Sequence, residues 1–258
     1  MHAAERERLI TDLLAERGFI AFKDLDRMLD ASPATIRRDL ERMTLAGQIE
    51  RVRGGARLSA AAGTTDPTRL TGVPFHENVT LHAAEKAAIG RAAASLCRLG
   101  EAVIIDGGST TLQMCPHLEP LGLQVLTNSL HIVSALMQQS ATRVSLPAGT
   151  IFREQNIVLS PFEDDGMDRY HASKLFIGAA SIGRHGLMQA DTLLVQAERR
   201  LLDRADEIIV LVDSSKFSTS AGHLVCELKD IDVVITDAGV AEADADMLRA
   251  AGCQLVIT

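Results

Sequence analysis

Residues 101–112, EAVIIDGGSTTL, read as a short buried strand, a Gly-Gly turn and the start of a helix. The strand is an apolar, β-branched run with no polar alternation, the pattern of a strand covered on both faces. Asp106 closes it. Gly107 and Gly108 let the backbone approach a ligand closely, and Ser109, Thr110 and Thr111 add hydroxyls where unpaired N–H groups and the helix dipole favour an anion. Working outward, the runs LQVLT, KLFIG, EIIVLVD, DVVIT and QLVIT alternate with helix-period stretches. That order predicts an α/β fold with a largely parallel, Rossmann-like sheet. Strand C-termini share one edge of such a sheet, where ligands of open α/β folds bind. A second strand ends at Thr127-Asn128-Ser129 and a third near Ala148-Gly149, so Asn128 and Gly149 join the candidate mouth. Lys174, just before LFIG, and Lys216 in VDSSKF, with Asp213 beside it, are candidate cations there, although either lysine alone reads more often as a solvated surface residue.

The 258 residues are 47% hydrophobic and 23% charged, a globular composition. No run of 18 apolar residues predicts a transmembrane helix, and the charged opening MHAAERERLI does not read as a secretory leader, which makes the cytoplasm the expected compartment. Cys97, Cys115, Cys226 and Cys253 are too widely spaced for a zinc site or a disulfide framework and read as free thiols. The eight histidines show no ligand spacing, so neither metal nor cofactor is expected. Glu163, Asp164, Asp165 and Asp168 lie in a stretch, PFEDDGMDRYHA, that reads as a lid helix with a solvated acidic face.

The net charge of −8 is unevenly spread. Residues 1–58 carry 11 basic and 10 acidic side chains, and within 32–58 there are six arginines against three acids. Such a local basic patch, not the whole-chain charge, is what meets phosphates. Leu9, Ile10, Leu13 and Leu14 recur at helical spacing, and residues 23–29 form a second short helix with Leu25, Met28 and Leu29 inward. Ser32 caps a third helix and Pro33 takes its first turn, a strong start signal. Ile36, Leu40 and Met43 face inward on it. Thr35, Arg37 and Arg38 therefore point out near its N-terminal end, where a recognition helix meets base edges. Ser32 and the helix start suit a phosphate. Residues 48–56 alternate like a β-hairpin whose Arg51 and Arg53 form a wing. The expected organisation is a winged helix-turn-helix over 1–58, a linker over 59–74 and an α/β sensing domain over 75–258.

The ordered strings SPATIRRDL, Arg51-Val52-Arg53-Gly54-Gly55-Ala56, DGGSTT, TNS, SKLFIGAA, AERRLL and VDSSKF resemble the DeoR family of transcriptional regulators over almost the whole chain. The family's wing usually carries histidine where this chain has Arg53, which adds a permanent charge. Within the family, IVLSP, ADTLLVQAERRLL and DSSKFSTSAGHL look most like repressors of ascorbate utilisation, which respond to a phosphorylated ascorbate derivative. The sensing domain is also similar to ribose-5-phosphate isomerase, which makes a sugar-phosphate isomerase the rival reading. By that likeness the isomerase's acid pair falls on Ile177-Gly178-Ala179-Ala180 and is absent, its lysine falls near Gln189, and its general base falls at Glu198. A positioned base without its partners does not supply enediolate chemistry, so a sensor and not an enzyme is expected. Glu198 is then either an acceptor for ligand hydroxyls or a plain helix-face acid. The resemblance implies a homo-oligomer, dimer or tetramer, binding double-stranded operator DNA without a membrane. It also implies release of that DNA by a phosphorylated sugar or sugar-acid effector, although the sequence leaves repression and activation both open.

Overall fold

The computed structural model describes residues 6, 7, 9–11, 13, 14, 19–29, 31–45, 49–52, 55–58, 70, 74–160 and 165–258, without side chains at 45, 50–52 and 58. The chain divides into two compact units, Met1–Pro67 and Thr68–Thr258.

In the first unit, residues 6, 7, 9–11, 13 and 14 are helical, followed by β1 (Phe19–Ala21), α1 (Phe22–Met28), α2 (Pro33–Leu45), β2 (Ile49–Val52) and β3 (Gly55–Leu58). Ile10, Leu14, Leu25, Ile36, Leu40, Met43 and Ile49 make its core. Leu9 and Met28, expected inward, are instead 37% and 43% exposed, because each lies at the margin of its helix's apolar face. The Ser32 hydroxyl accepts the Thr35 amide at 3.2 Å, and Ser32 Oγ and Thr35 Oγ1 are 2.8 Å apart, so the cap forms as the sequence implies. The three strands pair antiparallel in the order β1–β3–β2. β1 lies close across Gly55, where a Cβ would come within 2.1 Å of the Ile20 carbonyl oxygen.

The second unit is built on seven parallel strands in the order β15–β14–β12–β9–β4–β5–β6. These are β4 (Ala102–Ile105), β5 (Gln124–Leu126), β6 (Arg143–Ser145), β9 (Ala172–Ile177), β12 (Ala205–Leu211), β14 (Val233–Thr236) and β15 (Gln254–Ile257). Six of them are the runs read from sequence. The third strand of the candidate mouth ends at Ser145, short of Gly149. Helices cover both faces. Ile89 and Ala93 of α4 (Ala83–Ala94) and Ile132 and Leu136 of α5 (Leu130–Leu136) pack with Val103, Ile105, Phe176 and Ile209. Leu201 of α6 (Thr192–Leu202) and Leu248 of α7 (Glu242–Ala250) pack on the opposite face with Ile104, Leu175, Ile177 and Val210. Alternate residues of one strand thus feed two cores, which is why these strands read as unbroken apolar runs.

Two smaller pieces were not anticipated. The hairpin of β7 (Thr150–Phe152) and β8 (Ile157–Leu159) and the antiparallel sheet of β10 (Ser181–Gly183), β11 (Gly186–Gln189) and β13 (His223–Cys226) are strands of three or four residues, too short to show a period. Leu70, inside the expected linker, is buried with Phe152, Ile157 and Leu159, and α3 (Phe75–Asn78) follows it. The contact boundary at 67/68 is therefore earlier than the expected start at residue 75. Of the acidic stretch, residues 161–164 lie outside the described residues. Asp165 is buried and paired with Arg200 at 2.7 Å, Asp168 pairs with Arg204 at 2.5 Å, and Met167–Arg169 is a single 3₁₀ turn instead of part of a lid helix. The four cysteines are buried thiols, and burial pushes Cys97, Cys115 and Cys226 up to about 12.

The sheet carries one deeply placed ion pair. Lys174 Nζ meets Glu101 Oε1 at 2.5 Å, and Ser173 Oγ donates to the same oxygen at 2.6 Å. Both partners of the ion pair are about nine-tenths buried. Removing one leaves the other charge buried and uncompensated, at a cost of about 3 kcal/mol. Lys174→Met is expected to lower the unfolding free energy of the second unit by about that amount, read by urea titration.

Candidate functional site

The chain runs from β4 outward through β5 to β6, then returns to β9 on the other side of β4 and continues outward through β12, β14 and β15. The order reverses between β4 and β9, and the crevice beyond the C-terminal ends of those two strands is where an open α/β sheet leaves room for a ligand.

The loop after β4 fills one side of that crevice. Asp106 is buried, and its Oδ1 accepts from Asn128 Nδ2 at 2.9 Å, while the Gly107 amide donates to Asn128 Oδ1 at 2.9 Å. Asn128, carried at the end of β5, therefore ties two strand ends together. A Cβ at Gly107 would lie 2.6 Å from Ile157 Cγ2 and 3.0 Å from Asn128 Oδ1, so this glycine is required by close approach. Thr111 Oγ1 donates back to the Asp106 carbonyl at 2.7 Å. The amides of Gly108, Ser109 and Thr110 find no acceptor among the described residues, and neither do the hydroxyls of Ser109 and Thr110. The expected helix start is instead a 3₁₀ run, Thr111–His117, with Pro116 inside it. Proline lacks the N–H and clashes with the carbonyl four residues back, which disfavours the α-helical ladder here.

On the other side, Asp213 follows β12 and caps a 3₁₀ turn, Ser214–Phe217, by accepting from the Ser215 amide and hydroxyl. Its Oδ2 is buried and unpartnered among the described residues. Lys216 lies in that turn, half-buried, without an ion pair among the described residues. Asp237 braces the turn by accepting from the Ser214 amide and hydroxyl at 2.6 and 2.9 Å.

Lys86 is the residue sequence reasoning missed. It is 1% exposed, on α4, and its Nζ donates to the Asn78 carbonyl at 2.5 Å and to Asn78 Oδ1 at 3.2 Å. Burial lowers its pKa to about 8; Asp213 opposes that shift and Lys216 adds to it, which puts Lys86 within electrostatic reach of the Asp213–Lys216 turn. Helix α4 comes close enough because Gly90 packs on the Gln113 backbone, where a Cβ would meet atoms at 2.5 Å.

Glu198, on α6, is 3% exposed and accepts from Gln189 Nε2 through Oε1 at 2.7 Å. Its Oε2 is buried and unpartnered among the described residues. Burial, reinforced by the charge of Asp106, holds its carboxyl well above the usual range. This excludes the plain solvated helix-face acid. A cavity of about 400 Å³ lies nearby, lined by residues including Asn128, Val158, Leu159, Met167, Gln196 and Arg200.

Asp106 to Thr111, Asn128, Asp213 and Lys216 thus lie on loops at the strand C-termini, and Glu198 is within electrostatic reach of Asp106. Lys174 does not join them. It is the third residue of β9, paired in register with Val103, and its ammonium turns to Glu101 before β4, toward the opposite edge of the sheet. Gly149 lies in the approach to the β7–β8 hairpin, 2.4 Å (as a Cβ) from the Leu159 carbonyl oxygen, a packing position.

In the first unit, Arg37 and Arg38 are exposed on α2. Arg37 lies over the Phe22 ring at 5.1 Å, whereas Arg38 makes no contact of this kind among the described residues. Buried Asp39 accepts from Arg6 at 2.7 Å and from Arg42 at 3.0 Å, and Arg42 also reaches Glu7 at 2.5 Å. The backbone of Arg51 lies in β2; its side chain and Arg53 are outside the described residues.

A helix-turn-helix with a three-stranded wing, joined in one chain to a Rossmann-like sensing domain, defines a DNA-binding transcriptional regulator. The DeoR-like helix-turn-helix domain matches residues 6–61 and the DeoR C terminal sensor domain matches residues 81–238. The chain belongs to the DeoR family. The HTH-type transcriptional regulators UlaR of Shigella dysenteriae serotype 1 and of Salmonella arizonae are each 30% identical to it over 256 residues, 99% of this chain and 99% of theirs. Among solved structures, ribose 5-phosphate isomerase A from Methanocaldococcus jannaschii covers 51% of this chain and 53% of its own, with a TM-score of 0.36 and 19% identity. The eIF2B delta chain from Chaetomium thermophilum covers 83% of this chain and 64% of its own, with a TM-score of 0.40 and 12% identity. The relatives are named as transcriptional regulators and not as enzymes. No helix among the described residues is long and apolar enough to cross a membrane.

Lys86 gives the site a pH signature. Its folded pKa of about 8 lies below the ordinary 10.5, so between those values the unfolded chain binds more protons and stability rises with pH. Urea titrations across that window are expected to show the rise in the wild type and a smaller slope in Lys86→Met.

Proposed function

We propose that the crevice beyond β4 and β9 binds the phosphate of a phosphorylated sugar or sugar acid, and that binding releases the protein from its operator as a derepressing signal. The observation that carries this reading is the run of three amides at Gly108, Ser109 and Thr110 with no acceptor among the described residues, accompanied by two unused hydroxyls. Successive backbone N–H groups of this kind form an anion nest. Lys86 and Lys216 supply positive charge from the far side, and the free Oδ2 of Asp213 suits a sugar hydroxyl. Repression with release requires the ligand to prefer the conformation of low DNA affinity, and reciprocally DNA weakens ligand binding.

At the DNA, Ser32, Pro33 and the first turn of α2 meet a phosphate, Thr35 and Arg38 meet base edges, and Arg51 and Arg53 of the wing meet the backbone. Arg37, stacked on Phe22, is held for a backbone or base contact beside Arg38. The protein acts in the cytoplasm as a homo-oligomer, since paired half-sites are the usual target of helix-turn-helix readers. Lys174 and Gly149 have no part in the effector site.

A band-shift titration on the protein's own upstream DNA, at fixed salt, tests both halves. Release by one phosphorylated sugar or sugar acid is expected, and tight binding indifferent to all of them would overturn the sensor reading. In the same assay Arg38→Ala is expected to lose operator discrimination by about 1–3 kcal/mol. A uniform loss on every sequence would make Arg38 a phosphate contact.

A further inference from the structure

Leu70 and residues 74–82 are the first described residues of the second unit, the stretch by which the chain arrives from the DNA-reading unit. This strap is seated at three points. Leu70 is buried with Phe152, Ile157 and Leu159 of the β7–β8 hairpin. Phe75 opens α3 and donates its amide to the Glu154 carbonyl, in the hairpin turn, at 3.0 Å. Its ring stacks on His131 of α5, with centroids 4.1 Å apart and planes at 16°. Asn78 ends α3 and accepts from the buried Lys86 ammonium through its carbonyl and its side chain. The hairpin beneath the first two points also braces the crevice. The Val158 amide donates to the Asn128 carbonyl at 2.8 Å, the Leu130 amide donates to the Asn156 carbonyl at 2.9 Å, and Ser129 bridges to Ile157. Asn156 Nδ2 lies 3.0 Å from His131 Nε2. Ile157 meets both sides: a Cβ on Gly107 would lie 2.6 Å from its Cγ2, and its side chain packs in one cluster with Leu70.

We propose that the β7–β8 hairpin couples the crevice to the strap, with Ile157 and Phe75 as positioning residues for the regulatory response, and that a ligand in the crevice unseats the strap. The proposal rests on the effector reading above and adds the route by which the signal leaves the site. Gly107 packs on Ile157 with no space even for a Cβ, so the seat requires the Gly107–Thr110 loop to stay where it is. An anion that draws this loop toward itself disturbs Ile157, and through it Leu70 and Phe75. The hairpin can respond without the sheet, because Leu70, Phe152, Ile157 and Leu159 form a cluster separate from the two cores that flank the strands. A small satellite cluster opens more readily than a sheet core. Seated and unseated arrangements of one element, biased from both ends, are the physical requirement for coupling between two sites. When the strap is seated, the chain toward the DNA-reading unit is held from Leu70; when it is unseated, the hold begins only at α4. A longer tether lowers the effective concentration of paired reading units at their half-sites.

The test uses the full-length protein in two measurements. Without any ligand, hydrogen exchange resolved to single amides compares Ile157→Val with wild type. Trimming Ile157 is expected to speed exchange at Val158, Leu130 and Phe75 together, by about twofold to tenfold. The Val212 amide, bonded to the Ile235 carbonyl within the sheet, is expected to stay unchanged. A Phe75 amide that does not respond overturns the coupling, and so does equal acceleration at Val212, since the hairpin then has no opening of its own. Band shifts on the protein's upstream DNA and calorimetry, with L-ascorbate 6-phosphate and ribose 5-phosphate as probes, then read the response. Phe75→Ala is expected to bind DNA about as weakly as probe-saturated wild type, and to show less than about twofold further release. By reciprocity it binds the releasing probe about fivefold tighter or more. Release equal to that of wild type overturns the proposal. Weakening of DNA and probe binding together overturns it as well, being the mark of a merely structural residue. A wild type that neither these probes nor other sugar phosphates release removes the effector reading, and the exchange comparison alone then decides whether hairpin and strap move as one.

Discussion

The parallel pairing of β4 with β9 governs the arrangement of everything else in the sensing unit. Val103, Ile104 and Ile105 are locked in register to Lys174, Leu175 and Phe176, and the chain leaves this pair in opposite directions. Because the crossovers part there, polar loops take the space beyond the ends of β4 and β9. Asp106 and Asn128 then do for the loops what backbone pairing does for the strands. One side chain answers the other and a backbone amide, and the strand ends are held without sheet hydrogen bonds. Among the described residues most buried polar groups are paired, and Glu198 Oε2 and Asp213 Oδ2 are among the three side-chain atoms that are not.

Much of this was readable in the residues. The sheet strands announce themselves because burial on both faces removes the polar alternation, and Ser32-Pro33 marks the start of α2 through the chemistry of helix starts. The loop DGGSTT was legible because its glycines and hydroxyls have few other reasons to stand together. What failed was whatever depended on a partner distant in sequence. Lys86 sits in an alanine-rich helix where a lysine reads as solvated; it is buried, and its ammonium turns to Asn78, eight residues back. Lys174 stands before an apolar run and looks free, but its partner, Glu101, is 73 residues away in sequence. Proline at 116 was visible, yet its effect on the helix start was overridden in the reading by the glycine-serine pattern before it.

The crevice is electrostatically two-sided. Lysines 86 and 216 bring positive charge to one part of it, while burial raises the carboxyls of Asp106 and Glu198 in another.

The ion pairs beneath the recognition helix bear on how regulation can work. Asp39 binds Arg6 and Arg42 together, and Arg42 reaches on to Glu7, so α2 is fastened to the first helix by charges partly shielded from water. A reading head fastened in this way is a rigid die. A signal from the sensing domain can change how often the die meets its template, or at what angle it is presented, but not the pattern cut into its face. Selection of sites and control of occupancy are therefore separate properties of this chain, open to change one without the other.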